Sequence, residues 1–178
     1  MVKYLSLLFI FLLVSGCSSS KKIIVSSSAD DIPVVTGSVL NSLAFEKGGT
    51  LVLGSFKPGT GAEANDETDQ LSLMMIKGIK DTLLADNLRF TISEDDQKKS
   101  DFYLEGHIED YGRDVHFTHL KLRQNQVHLS IDGEIWLRET GEKVFLFKSS
   151  ALIDLKIKNS KIAAYQMGVA IARLLGSK

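Results

Sequence analysis

The chain has 178 residues, of which 44% are hydrophobic and 24% are charged, a composition that excludes a disordered chain and suits one globular domain with an extension. About 160 residues would remain after removal of a leader, enough to bury a core. The net charge of −1 excludes a strong field of either sign, so the sequence gives no support for nucleic-acid binding or for steering of an ionic substrate.

Residues 1–16 are predicted to be a lipoprotein signal peptide. Lys3 precedes an apolar run, Leu5 to Val14, that is too short for a membrane-spanning helix. The segment Val14-Ser15-Gly16-Cys17 resembles the bacterial lipobox and contains the only cysteine of the chain. This resemblance implies that the Cys17 sulfur receives a diacylglycerol and that the freed amine of Cys17 becomes the N-terminus.

A lipidated Cys17 determines where the protein resides. Burial of acyl chains contributes about 0.8 kcal/mol per CH₂, so a triacylated N-terminus anchors stably to a membrane. Ser18 stands where an Asp would, by resemblance to enterobacterial sorting, retain a lipoprotein in the inner membrane. We therefore predict a lipid-anchored outer-membrane protein that faces the periplasm. Because there is no second cysteine, no disulfide is expected despite this oxidising compartment.

Residues 17–49 are predicted to be the lipidated cysteine and a Ser-rich tether. Serine runs alternate there with short apolar segments. The later apolar segments, such as Val39 to Phe45, indicate that this half of the tether docks onto the domain. The domain itself is predicted to occupy residues 50–178.

The domain is predicted to begin with a strand and a helix. Thr50 to Phe56 is an apolar run that ends at Lys57-Pro58-Gly59, as expected of a buried strand before a turn. Capping and acidic residues from Asp66 onward favour a helix N-terminus. Apolar residues at every fourth position predict the buried face of this helix: Leu71, Met75, Ile79 and Leu83.

A run of antiparallel strands and a last helix are predicted to follow. The segments 88–93 and 101–112 alternate apolar and polar residues, as strands with one buried face do. The next segment is typical of a hairpin that turns at Thr140-Gly141. The last helix opens at Asn159 and carries Gly168, where a neighbour can approach closely.

This order of strand, helix, strands and helix predicts an α+β fold, a two-layer sandwich whose mainly antiparallel sheet carries two helices on one face. The phrases "LLADNLRFTIS", "SDFYLEGHIEDY" and "LSIDGEIWLRETGEKVF" resemble the fold shared by the penicillin-binding-protein activator lipoproteins, the curli-secretion lipoprotein and the N-terminal domain of TolB. The resemblance covers about Thr50 to Ser177. The lipopolysaccharide-assembly lipoprotein of the outer membrane has a similar size and element order.

We predict no enzyme activity, no catalytic residue, no metal site and no cofactor. The sole cysteine is lipidated and no Gly-x-Ser-x-Gly elbow is present, so a nucleophile for a triad is lacking. The histidines are predicted to fall on strand faces or in a polar loop, where a structural or solvated role is expected. They are His107, His116, His119 and His128.

One sheet face is predicted to be unusually apolar. If the helices cover the face that bears Leu129 and Phe145, the opposite face is open to solvent. Such a face normally carries polar residues, but here it carries several apolar and aromatic ones. These residues are Tyr103, His128, Trp136, Leu146 and Leu152. Either they pair across strands or lie under the docked tether, or they form a contiguous surface for a partner protein or for weak self-association.

Two functions fit these patterns. The first is a non-enzymatic cell-envelope lipoprotein that acts as a protein-binding accessory or adaptor for an envelope machine in cell-wall synthesis, secretion or transport. The alternative is a lipid or lipopolysaccharide transport and assembly lipoprotein, which needs an apolar groove between sheet and helices or a basic patch. Lys121 and Arg123 are the only hint of such a patch. In the first case the partners are envelope proteins, and in both cases the membrane contact is the Cys17 anchor.

Overall fold

The computed structural model describes residues 21–25, 33–86, 88–93, 100–112 and 125–176, so the predicted signal peptide and Cys17 lie outside the described residues. The elements in chain order are β1 (Lys21–Val25), β2 (Val34–Val39), α1 (Ser42–Lys47), β3 (Gly49–Gly61), α2 (Asp66–Ala85), β4 (Phe90–Ile92), β5 (Phe102–Gly112), β6 (Gln126–Leu137), β7 (Glu142–Asp154) and α3 (Ser160–Gly176).

The strands form one seven-stranded sheet in the order β1-β2-β7-β6-β5-β3-β4. Neighbouring strands are antiparallel, except that β3 pairs parallel with both β4 and β5. The predicted α+β fold with a mainly antiparallel sheet is therefore confirmed. Within the described ranges, no helix is both long and apolar enough to cross a membrane.

The predicted position of the strand at 88–93 in an antiparallel run is wrong. β4 lies at the sheet edge and pairs with the start of β3, from Gly49↔Phe90 to Leu51↔Ile92. Helix α2 carries the chain back along the sheet, so the connection from β3 to β4 is a crossover, which joins parallel strands. β3 consequently separates β4 from β5.

The two long helices pack on one face of the sheet, as predicted. A capping box starts α2, in which the Asn65 side chain accepts from the backbone N–H of Thr68 while the Thr68 hydroxyl accepts from the Asn65 N–H. The predicted stripe is buried: Leu71, Met75, Ile79 and Leu83. Gly168 of α3 lies against the backbone of α2 at Met75, so the predicted close approach is also found.

The folded unit begins upstream of residue 50, because part of the predicted tether belongs to it. β2 pairs with β7 from Val34↔Ser150 to Val39↔Phe145. The short helix α1 then inserts Phe45 into the core, where its ring stacks on Phe145 at 4.8 Å between centroids. The later half of the tether thus docks, as predicted, but it does so as a strand of the sheet and a helix.

Candidate functional site

All five predicted contact residues belong to the sheet face opposite α2 and α3, called here the open face. Tyr103 and Trp136 are direct cross-strand partners at one end of it, and Leu146 lies in the next row, opposite Glu134. His128 pairs with Leu152 at the other end. Strict alternation along β5, β6 and β7 explains this placement, because the residues before and after each of them face the core.

The aromatic end of the open face is packed by the domain's own side chains. The Nζ of Lys143 lies 4.6 Å from the centroid of the Trp136 ring and 2.7 Å from Glu134 Oε2. The Tyr103 hydroxyl covers Gly54, where a Cβ atom would come within 2.3 Å of its oxygen. Cross-strand packing, the first of the alternatives raised by the sequence, therefore describes Trp136 and Tyr103.

His128 is buried, with 6% of its surface exposed, and so offers little area to a partner. Its Nδ1 lies 3.2 Å from Oδ2 of Asp110, which is also buried. A β-bulge between Ile108 and Asp110 causes this arrangement, because it turns Asp110 onto the open face opposite Ser130. The Asp110 Oδ1 atom has no hydrogen-bond partner among the described residues.

The same bulge turns Tyr111 to the helix side of the sheet. Its hydroxyl donates to Glu67 Oε1 at 2.5 Å and lies 3.0 Å from the Ser160 hydroxyl, so it joins the first turns of α2 and α3. Burial, together with the hydrogen bond to the Glu67 carboxylate and its negative charge, raises the pKa of Tyr111 to about 12, against the opposing effect of the Ser160 hydrogen bond. Tyr111 is thus a neutral hydrogen-bond donor over the physiological pH range.

Charged residues separate the two ends of the open face. His107 and Asp132 are direct partners, Lys148 lies beside Asp132, and Glu105 lies opposite Glu134. These charged rows divide the apolar residues of the open face into two separate groups. The alternation of apolar and polar residues in the sequence predicted the correct sheet face for each residue. It did not predict the cross-strand register, which places rows of charged residues between the two apolar ends.

Four exposed aliphatic side chains of the described domain surround a groove at one end of the sheet. The last β2–β7 pair is Val34↔Ser150, whereas β7 continues to Asp154. Pro33 has no backbone N–H and ends the ladder. A groove of about 510 Å³ lies between this edge of β7 and the first turns of α3, and its lining includes Val34, Leu152, Ile157, Ile162 and Gln166.

The groove presents aliphatic side chains to solvent. Val34, Leu152 and Ile162 are each about half exposed, and Ile157 is 83% exposed. Asp154 shapes the turn that holds Ile157, because its carbonyl accepts from the N–H of Ile157 and its carboxylate accepts from the N–H of Lys156. Gln166 also lines the groove, although its Oε1 atom is buried and has no hydrogen-bond partner among the described residues.

A further exposed aliphatic residue lies near the other end of β2. Leu43 on α1 is 83% exposed, and α1 begins directly after β2 ends, whereas the groove adjoins the first residue of β2. The two features therefore lie at opposite ends of one edge region of the sheet.

Sequence reasoning found Leu152 but missed Val34, Ile157 and Ile162. The available signal was the isoleucine between two lysines at 156–158, an apolar residue in a segment otherwise typical of a turn. Of the predicted histidines, His107 lies on a strand face as expected, while His116 and His119 are outside the described residues, as are Lys121 and Arg123.

Comparison with known proteins gives likeness in structure only. No protein-family model matches the chain, and no curated protein matches its sequence. The PelC dodecamer from Paraburkholderia phytofirmans is 14% identical over 80% of this chain and 98% of its own, with a TM-score of 0.55. A variant PelC dodecamer from the same organism is 13% identical over 83% and 100% of the two chains, with a TM-score of 0.51. A hypothetical protein of Chlamydia trachomatis is 8% identical over 71% and 91%, with a TM-score of 0.41. At these identities the PelC likeness shows a shared fold.

Proposed function

We propose that this chain is an outer-membrane lipoprotein, anchored through Cys17 and facing the periplasm, that acts as a non-enzymatic protein-binding accessory of an envelope machine and assembles with copies of itself. The lipobox-like segment at Val14 to Cys17 supports the anchor. The exposed aliphatic groove supports the binding role. The fold shared with PelC dodecamers supports the self-assembly.

The groove is the observation that carries the binding role. Val34, Leu152, Ile157 and Ile162 leave much of their surface in water around one concavity. Full burial of such a side chain contributes about 1.5–3 kcal/mol. Clustered exposure of this kind, rimmed by polar groups, marks contact sites on soluble domains.

A second copy of this chain is the occupant that fits best. The net charge of −1 gives the copies little mutual repulsion. Lipid anchors hold all copies in one membrane surface, which raises their effective concentration and favours even a weak contact. The two PelC structures that share the fold are dodecamers.

The geometry favours a head-to-tail contact. The groove and the exposed Leu43 lie at opposite ends of the β2 region, so Leu43 of one copy would enter the groove of the next. A contact between two different surfaces repeats from copy to copy and closes into a ring when the rotation permits. A two-fold contact of the groove with itself would instead stop at a dimer.

Light scattering on the chain from Ser18 to Lys178, which keeps every described residue, tests this assembly. The wild type should increase in mass with concentration, whereas Ile157→Ser and Leu43→Ser should each remain monomeric with unchanged melting temperatures. Leu73→Ser is the matched control, since Leu73 is an exposed leucine of α2 outside the groove lining. A wild type that stays monomeric at every concentration, or an equal loss in the control, would contradict the proposal.

The position of the groove also favours the alternative of a lipid or lipopolysaccharide transport and assembly lipoprotein. It lies between the sheet and α3, and its volume falls within the range of small-molecule sites. Titration with a fluorescent fatty acid separates the two functions. Saturable binding by a monomeric chain that is lost in Ile162→Ser would favour the alternative, and no binding would favour self-assembly.

A further inference from the structure

We propose that His107, Glu109 and Asp132 form a binding site for a divalent transition-metal ion on the open face, a property separate from the assembly proposed above. His107 on β5 is the direct cross-strand partner of Asp132 on β6. Glu109 lies two residues further along β5. One ligand atom from each side chain lies within 4.8 Å of the others, and the His107 Nδ1 atom is 3.5 Å from Asp132 Oδ1.

The donor set has the chemistry of a transition-metal site. One imidazole nitrogen and two carboxylate oxygens suit zinc and related ions, and three protein ligands leave room for water or a further ligand. Zinc bonds of about 2.0–2.1 Å place tetrahedral donors roughly 3.3 Å apart. His107 and Asp132 are already aligned as cross-strand partners, and Glu109 stands at the β-bulge of β5 with a carboxylate oxygen in the same cluster. The observed separations therefore require only side-chain rotation.

The site is accessible from solvent and has further carboxylates beside it. The side chains of His107 and Asp132 are 44% and 33% exposed, so an ion can enter from solvent. In the next row, Glu105 lies directly opposite Glu134, a like-charge pairing that is unfavourable across strands and that Lys143 offsets in part through its ion pair with Glu134. Lys57 and Lys148 are the register neighbours of His107 and Asp132. These two positive charges lie in the same row as the ligands and oppose the binding of a cation.

The alternative is an ordinary surface ion pair between His107 and Asp132, and zinc titration distinguishes the two. Calorimetry of the chain from Ser18 to Lys178 with zinc chloride should show one ion per chain. His107→Ala, Glu109→Gln and Asp132→Asn should each weaken binding by more than about tenfold. Asp132→Asn keeps the shape of the side chain and so guards against a folding defect.

His116 and His119 provide the control, because "HFTH" is the other histidine pattern of the chain. The double variant His116→Ala/His119→Ala should bind zinc as the wild type does. Zinc should also raise the melting temperature of the wild type but not that of Asp132→Asn. Absence of zinc binding, or binding that persists in His107→Ala and disappears in the double variant, would overturn the proposal.

Discussion

Gly168 of α3 and Met75 of α2 are in direct backbone contact, since a Cβ atom at position 168 would come within 2.1 Å of the Met75 carbonyl oxygen. The contact is reciprocal, because a Cβ atom at Gly78 would lie 2.2 Å from the Tyr165 carbonyl oxygen. Backbone atoms cannot rotate away as side chains can. These two glycines therefore set the distance between the helices that cover the core.

We expect Gly168→Ala to lower the free energy of unfolding by about 1–3 kcal/mol, the usual cost of overpacking. The methyl group would force α2 and α3 apart. Gly176→Ala is the control, because a Cβ atom there meets only side-chain atoms of Leu88, which can move. Urea denaturation of both variants measures the difference, and equal stabilities would show that the helix contact is looser than described.

Trp136→Ala should destabilise the domain without affecting the proposed self-assembly. The substitution removes the cross-strand contact with Tyr103 and the position of Lys143 over the ring. Together these interactions are worth about 1–2 kcal/mol. Leu152→Ser should weaken assembly and leave the stability of the domain unchanged, since Leu152 is half exposed at the groove. Urea denaturation and light scattering of both variants measure the two effects. Loss of assembly in Trp136→Ala would show that Trp136 is instead a contact residue.

Alkaline titration should show one phenol that ionises near the pKa of about 12 assigned to Tyr111. A folded-state pKa raised above the ordinary value of 10.0 stabilises the fold fully below pH 10, and this contribution is lost as pH rises from about 10 to about 12. Tyr111→Phe should remove both the late ultraviolet transition and this part of the pH dependence. A transition that survives in Tyr111→Phe would assign it to another tyrosine.

Cys17→Ala should leave an unprocessed precursor, because cleavage of a lipoprotein signal peptide depends on the lipidated thiol implied by the lipobox-like segment. Mass spectrometry of the protein from fractionated cells would show residues 1–16 still attached. Mature Cys17→Ala protein that begins at residue 17 and fractionates with the outer membrane would contradict the anchor.

The sequence predicted the elements whose periodicity is strong. The four-residue spacing from Leu71 to Leu83 and the alternation of β5 to β7 correspond to buried faces, because amphipathic patterns follow directly from helix and strand geometry. Strand β2 was not predicted from the sequence, because its core-facing positions include Gly37, which lies under the Phe145 ring. A glycine at a core position carries no apolar signal, so the segment resembled a tether.

The proposed binding surface was predictable only in part. Leu152 was assigned to the correct face by alternation, but the groove also needs Val34 and Ile162, which are brought together by strand pairing and by the docking of α3. The cluster of His107 with Asp132 depends on the β5–β6 register in the same way. Residues that are so far apart in the sequence produce no local sequence pattern when they come together. The β-bulge that buries His128 with Asp110 has no recognisable sequence pattern either.

The central claim, head-to-tail assembly of an anchored lipoprotein, is tested most directly by disulfide crosslinking in cells. Lipidation of Cys17, the only cysteine, would leave introduced thiols as the only free ones. The double variant Leu43→Cys/Ile157→Cys should give a ladder of linked multimers in the oxidising envelope, whereas Leu43→Cys and Ile157→Cys alone should remain unlinked. A double variant that stays monomeric in the outer-membrane fraction, or a single variant that forms dimers as readily, would contradict head-to-tail assembly.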